Sequence, residues 1–447
     1  MVGWRHAAIP LALFAALAGA ASALATPVLV IDGAGDGHGV GMSQTGAEGL
    51  ALHGYGAREI LAHYYTGTTV GRTPAEGAIS VLLQSGLRSV VFSGATRAGA
   101  RPLAGARTYI ARAAANGEIA LESERGRLLS YLPAPLAITS RVPIRFDGAA
   151  SSGVIDGRYR GSLEVVASGS RLDVINHLGL EAYLRGVVPA ESPSWWPAAE
   201  LEAQAIAARG YAIASPPQNG FDLYGDTRSQ AYGGYGAETA ATNAAVTATT
   251  GEVVTYAGKP VITYYFASSG GATEDVQDVF YGSPAEPYLT GVLDPYDATR
   301  FGPITMSVAR ADRRLRGLVD GTLEAIDVTR RGVSPRVISA KVVGSGGTTT
   351  VSGATLEAAL HLPSTWDCFT VSSSQATLAS GWDRACERPS RLGSARPATG
   401  PTGSTLGGAV SPKHYRGPSG STGTSAGEGS ATPTAPTSAG GAVGPPP

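Results

Sequence analysis

The stretch from Tyr183 to Ala214, YLRGVVPAESPSWWPAAELEAQAIAARGYAIA, limits most narrowly what this chain can fold into. Three prolines, at 189, 193 and 197, break it into rigid pieces. Tyr183 to Val188 reads as a short apolar strand, stopped by Pro189 because proline has no backbone N–H to donate. Pro197 suits the first turn of a helix, where a missing N–H costs nothing, so a helix is expected from Ala198 to about Ala214. Leu201, Ala205, Ala208 and Ala212 recur at spacings of three and four and form its narrow apolar face, with Arg209 off that face.

Glu191 falls on the Pro-bounded loop between strand and helix, beside Trp195 and Trp196. Apolar rings around a carboxyl disfavour its charged form and raise its pKa, as a general acid near neutral pH requires. Spacing alone favours a plain surface glutamate in a strand-helix turn. The residues of this stretch, Val187-Val188-Pro189, Glu191, Trp196-Pro197, Leu201, Ala203-Gln204-Ala205, Ala207-Ala208-Arg209 and Tyr211, resemble the signature of the stage II sporulation protein D and amidase enhancer family. The resemblance implies a peptidoglycan lytic transglycosylase with Glu191 as its catalytic acid and Arg209 orienting a substrate group or pairing with a carboxylate.

A second block, residues 31 to 70, is rich in glycine around His38. Ser43 is placed to cap a helix that ends near Gly54, and a second helix follows from Ala57 to about Tyr65, with Ile60, Leu61 and Tyr64 inward. The glycines do not form a dinucleotide loop, Ala34 and Ser43 spoil a calcium loop begun by Asp32, and His53 and His63 are too far apart for a zinc helix. No metal or cofactor is expected. Gly37 to Gln44, Gly54-Tyr55 and His63 to Thr68 also resemble the family, but there this block comes last and here it comes first. The order implies a circular permutation, which a fold tolerates when its natural termini lie close together. The block is then expected to line the cleft near Glu191, with His38, Ser43 and Gln44 meeting substrate.

Between about 78 and 180, short β-branched runs separated by Gly, Asn, Asp and Pro read as antiparallel strands, with residues 95 to 140 as a candidate inserted β subdomain. The loop from Phe221 holds Asp226, Gln230, Tyr232 and Gly234, which match the family, but Tyr224, Arg228 and Ser229 stand where some relatives carry zinc ligands. A mostly alanine helix runs from about Glu238 to Gly251. Val261 to Thr273 reads as a strand entering a Ser-Ser-Gly-Gly turn, where Tyr265 and Ser269 match the family and Phe266 and Ala267 depart from it. The resemblance makes Gln230, Tyr265 and Ser269 candidates for sugar contacts. The resemblance, with these features, implies an α+β class: a mostly antiparallel sheet core with a few packed helices lining a glycan cleft.

The 447 residues, 43% hydrophobic with a net charge of −1, can bury a large core and give no sign of nucleic-acid binding. Residues 1 to 25 read as a cleavable secretory signal, so the product is expected outside the cell or in the wall. No other segment reads as a membrane span. In an exported chain, Cys368 and Cys386 are expected to form a disulfide worth roughly 3 kcal/mol. Beyond about Glu387 the Pro/Gly/Ser/Thr composition cannot bury enough surface to fold, so 388 to 447 is expected to be a disordered tail. Expected partners are peptidoglycan strands and a cell-wall amidase.

Overall fold

A computed structural model describes residues 27–73, 77–115, 117–147 and 157–372. The signal segment, Cys386 and the tail lie outside the described residues. The architecture is α+β, with mostly antiparallel sheets. Eight α-helices occur among the described residues: α1 (Gln44–Leu52), α2 (Ala57–Tyr64), α3 (Leu180–Glu191), α4 (Ala198–Ala214), α5 (Ala240–Ala248), α6 (Val276–Val279), α7 (Val308–Arg314) and α8 (Gly353–Leu360).

The helices begin where local chemistry supplies partners for their free N–H groups. Ser43 Oγ accepts from the Gly46 N–H at 3.1 Å and so starts α1. Glu59 reaches back to the Gly56 N–H at 2.8 Å and does the same for α2. Ile60, Leu61 and Tyr64 point inward, as their spacing predicts. Helix α4 spans Ala198–Ala214, the predicted range, with Pro197 as its N-cap. However, it has no narrow inner face: every residue from Ala203 to Ala212 is buried, because α1, α2, α3, α5 and the strand Glu252–Tyr256 all pack against it. Its many alanines permit that close approach.

The predicted strand at Tyr183 to Val188 is instead part of α3, with Pro189 inside the helix. Leu180, Tyr183, Leu184, Val187, Val188 and Glu191 are its buried side, a helical repeat of three and four. Proline near the end of a helix forfeits one backbone hydrogen bond, and burial of that face outweighs the loss.

The strands from Ala78 to Gly179 make two sheets. A seven-stranded sheet contains Ala78–Leu87, Arg171–Gly179, Ser162–Ser168 and Leu136–Thr139 in that order, and a six-stranded sheet is built on Thr108–Ala113 and its neighbours. The 95–140 region contributes strands to both sheets. Of the predicted strand at Val261 to Thr273, Tyr265–Phe266 forms a short strand, parallel to Met42–Ser43, while Ser268 and Ala272 make isolated bridges to Asp36 and Leu293. That short pairing lays the front block across the centre of the molecule. A separate apolar core, with Leu29, Ile31, Ile326, Val342 and Leu356, lies under Val28–Ala34 and the sheet of Leu323–Arg331, Val337–Gly344 and Gly347–Ser352. Among the described residues no helix is long and apolar enough to cross a membrane. Cys368 is buried and is not a free thiol.

Candidate active site

Glu191 is the last residue of α3 and lies at the floor of a cavity of about 490 Å³. The residue is 5% exposed. The backbone N–H of Ala231 donates to Oε1 at 2.6 Å, and Gln44 Nε2 donates to Oε2 at 3.4 Å. Among the described residues no cation forms an ion pair with it. Burial therefore dominates and pushes its pKa up to about 8, against the opposing pull of Ala231, Gln44 and Tyr265, which favour the ionised form. A carboxyl in this state holds its proton at neutral pH and still faces an open cleft.

The dry environment has a different source from the expected one. Trp195 and Trp196 both line the cavity, but Trp195 is 82% exposed and shields little. Tyr183, Tyr211 and Tyr265, each buried, surround the site from behind. The Tyr265 hydroxyl donates to Gln230 Oε1 at 2.7 Å, and Gln230 Nε2 donates to the Tyr183 hydroxyl at 3.2 Å.

Of the residues expected to meet substrate, only Gln44 lines this cavity. Gln230 and Tyr265 are fully buried in the layer behind Glu191. Ser43 and Ser269 are also fully buried and serve a carboxylate network: Ser43 Oγ donates to Asp297 Oδ2 at 2.9 Å, and Ser269 Oγ to Asp294 Oδ2 at 2.8 Å. Of the two roles expected for Arg209, the structure shows the carboxylate pair and not the substrate contact. Arg209 is fully buried, forks onto Glu181 at 2.8 and 2.7 Å, and donates to the Glu252 carbonyl at 2.9 Å. His38 also lies elsewhere, in a second cavity beside Phe280 and Tyr281. Gly37, at φ 94°, reverses the chain between Asp36, which lines the Glu191 cavity, and His38, which does not.

Four further residues take part in the site, none with a role assigned from the sequence, where Gln204 appears only as part of the signature. Glu200, in the first turn of α4, is fully buried, accepts from Ser192 Oγ at 2.8 Å, and has its pKa pushed up to about 8 chiefly by burial. Gln204, one turn later, accepts from Gln44 Nε2 at 3.4 Å. Their i, i+4 spacing on one helix was the available signal. Asp294 and Asp297 form a buried pair in which the second charge, after burial itself, helps raise Asp294 to about 7. Among the described residues no group of three or more His, Cys, Asp or Glu side chains is placed to hold a metal ion.

A mixed α+β domain with a proton-holding carboxyl in an open cleft is the class this geometry defines. Residues 168–256 match the family model described as "Stage II sporulation protein". It is 33% identical over 167 residues to an uncharacterized protein of Brachyspira hyodysenteriae, covering 36% of this chain and 44% of that one. It is 34% identical over 131 residues to the amidase enhancer of Bacillus subtilis (29% and 18% covered), and 31% identical over 197 residues to stage II sporulation protein D of Bacillus amyloliquefaciens (38% and 55% covered). The chain thus spans about half or less of the length of these relatives.

Proposed function

We propose that this protein acts in the bacterial cell wall, outside the cell, as a lytic transglycosylase that cuts glycan strands between N-acetylmuramic acid and N-acetylglucosamine. The observation that carries the reading is the Glu191 carboxyl, held protonated by burial at the floor of an open cavity. Most glycosidases use two carboxyl groups, one as acid and one as nucleophile or base. Here one suffices. Glu191 gives its proton to the bridging oxygen as the C1–O bond breaks. The muramic acid's own 6-hydroxyl closes on C1, and its proton returns to Glu191. The products are an alcohol on one sugar and a 1,6-anhydro ring on the other, with no water consumed.

The contact of Gln44 with Glu191 supports the reading that the front block is the family's closing segment moved to the start by circular permutation. The likeness to an amidase enhancer supports a second reading, in which the same cleft holds glycan for a partner amidase without cutting it. Incubating the full protein with purified glycan strands and looking for anhydro-sugar ends by mass spectrometry separates the two. The lytic reading requires such ends from the wild type and their loss in Glu191→Gln. Stimulation of an added amidase with no anhydro ends selects the enhancer.

A further inference from the structure

Two unlike features line the cavity that holds Glu191. The backbone N–H of Trp196 donates to the Pro193 carbonyl at 3.0 Å, closing a turn between two prolines that carries Trp195 at its tip. The indole is 82% exposed and meets no other ring or cation among the described residues. A large apolar ring left in water on so stiff a support is organised for an occupant before that occupant arrives. Asp36 lines the same cavity. Its backbone bonds to Ser268 in both directions, at 2.8 and 3.0 Å, which fixes its place. Its carboxylate oxygens accept no hydrogen bond from the described residues, although the side chain lines the cavity and burial raises its pKa. Thr45, Thr239 and Thr299 lie along the same cavity.

An exposed aromatic ring, a carboxylate without a hydrogen-bond donor and threonine side chains lining one cavity fit a pyranose, which has an apolar C–H face and an edge of hydroxyl and amide donors. A peptide strand would instead call for a row of unpaired backbone groups. We propose that Trp195 and Asp36 are the two jaws of a sugar subsite directly beside Glu191, the indole beneath the C–H face of one ring and the carboxylate accepting from its polar edge. This rests on the reading above for the identity of the glycan, but it assigns binding roles to two residues that reading does not use. The front block contributes Asp36 as well as Gln44, so the subsite forms only when that block is docked.

The test uses the full protein carrying Glu191→Gln, titrated by calorimetry with an N-acetylglucosamine oligosaccharide as probe. Trp195→Ala is expected to weaken binding about tenfold and Trp195→Phe less than about threefold, since an aromatic face is restored. Asp36→Asn, which keeps the shape and loses the charge, is expected to weaken it about tenfold. Both sites tolerate these changes structurally, since Trp195 is exposed and the Asn is isosteric. No binding by the parent, or affinities unchanged by both substitutions, overturns the subsite. If the affinities shift as expected and the wild type nevertheless yields no anhydro ends, the subsite stands and the lytic reading alone falls.

Discussion

Glu191 and Arg209 are buried at opposite ends of one helical pair, α3 and α4, and their surroundings differ in kind. Arg209 is met by a carboxylate fork and a carbonyl, so its charge is compensated where it lies. Glu191 is met by a backbone N–H and an amide, both neutral, and no cation offsets the loss of water. The first arrangement stabilises a charge inside the core; the second expels one. Burial alone therefore does not mark a reactive group. Burial without a counter-charge, opening on a cavity, does.

The comparison breaks most visibly in catalysis. Glu191→Gln keeps the shape and the Ala231 contact but removes the transferable proton, so anhydro-end release should fall on the order of 10³-fold, measured by mass spectrometry on strands of fixed length. Arg209→Met should do the reverse. It leaves Glu181 without its partner and is expected to cost about 3 kcal/mol in urea unfolding, while activity per folded molecule stays within about twofold. Equal catalytic losses in both variants would erase the distinction drawn here.

A third effect concerns pH. Folded Glu191 holds its proton to about pH 8, whereas the unfolded chain releases it near 4.5. Between those values the native state binds the extra proton, so stability falls as pH rises, by about 1.4 kcal/mol per unit for each such group. Glu191→Gln and Glu200→Gln should each stabilise the protein at pH 8 and change little at pH 4.5, as a melting-temperature series across that range would show. The smallest effect is expected from Gln44→Leu. Its donated bond favours ionised Glu191 and is long, at 3.4 Å, so its removal should move the alkaline limb of the activity profile upward by less than about one pH unit.

Local chemistry made much of this legible in the sequence. The span of α4, the Ser43 cap and the inner face of α2 all follow from residues within a few positions of one another. The sequence of α3 supports two readings: Pro189 resembles a strand terminus, while Leu180, Tyr183, Leu184, Val187 and Val188 repeat at helical spacing, and the buried helical face prevails. What stayed hidden is long-range. Gln44 reaches Glu191 across 147 positions and Ser43 reaches Asp297 across 254, and no periodicity encodes such pairings. The environment of Glu191 was anticipated in sign but not in source, since the rings that bury it come from Tyr183, Tyr211 and Tyr265 and not from the neighbouring exposed Trp195.

The most direct test is a titration of the Glu191 side-chain carboxyl by ¹³C NMR, with Glu191→Gln identifying its resonance. An inflection near pH 8, absent from the variant, is the expected result. An inflection near 4.5 would mean that the group is ionised at neutral pH and cannot serve as the acid.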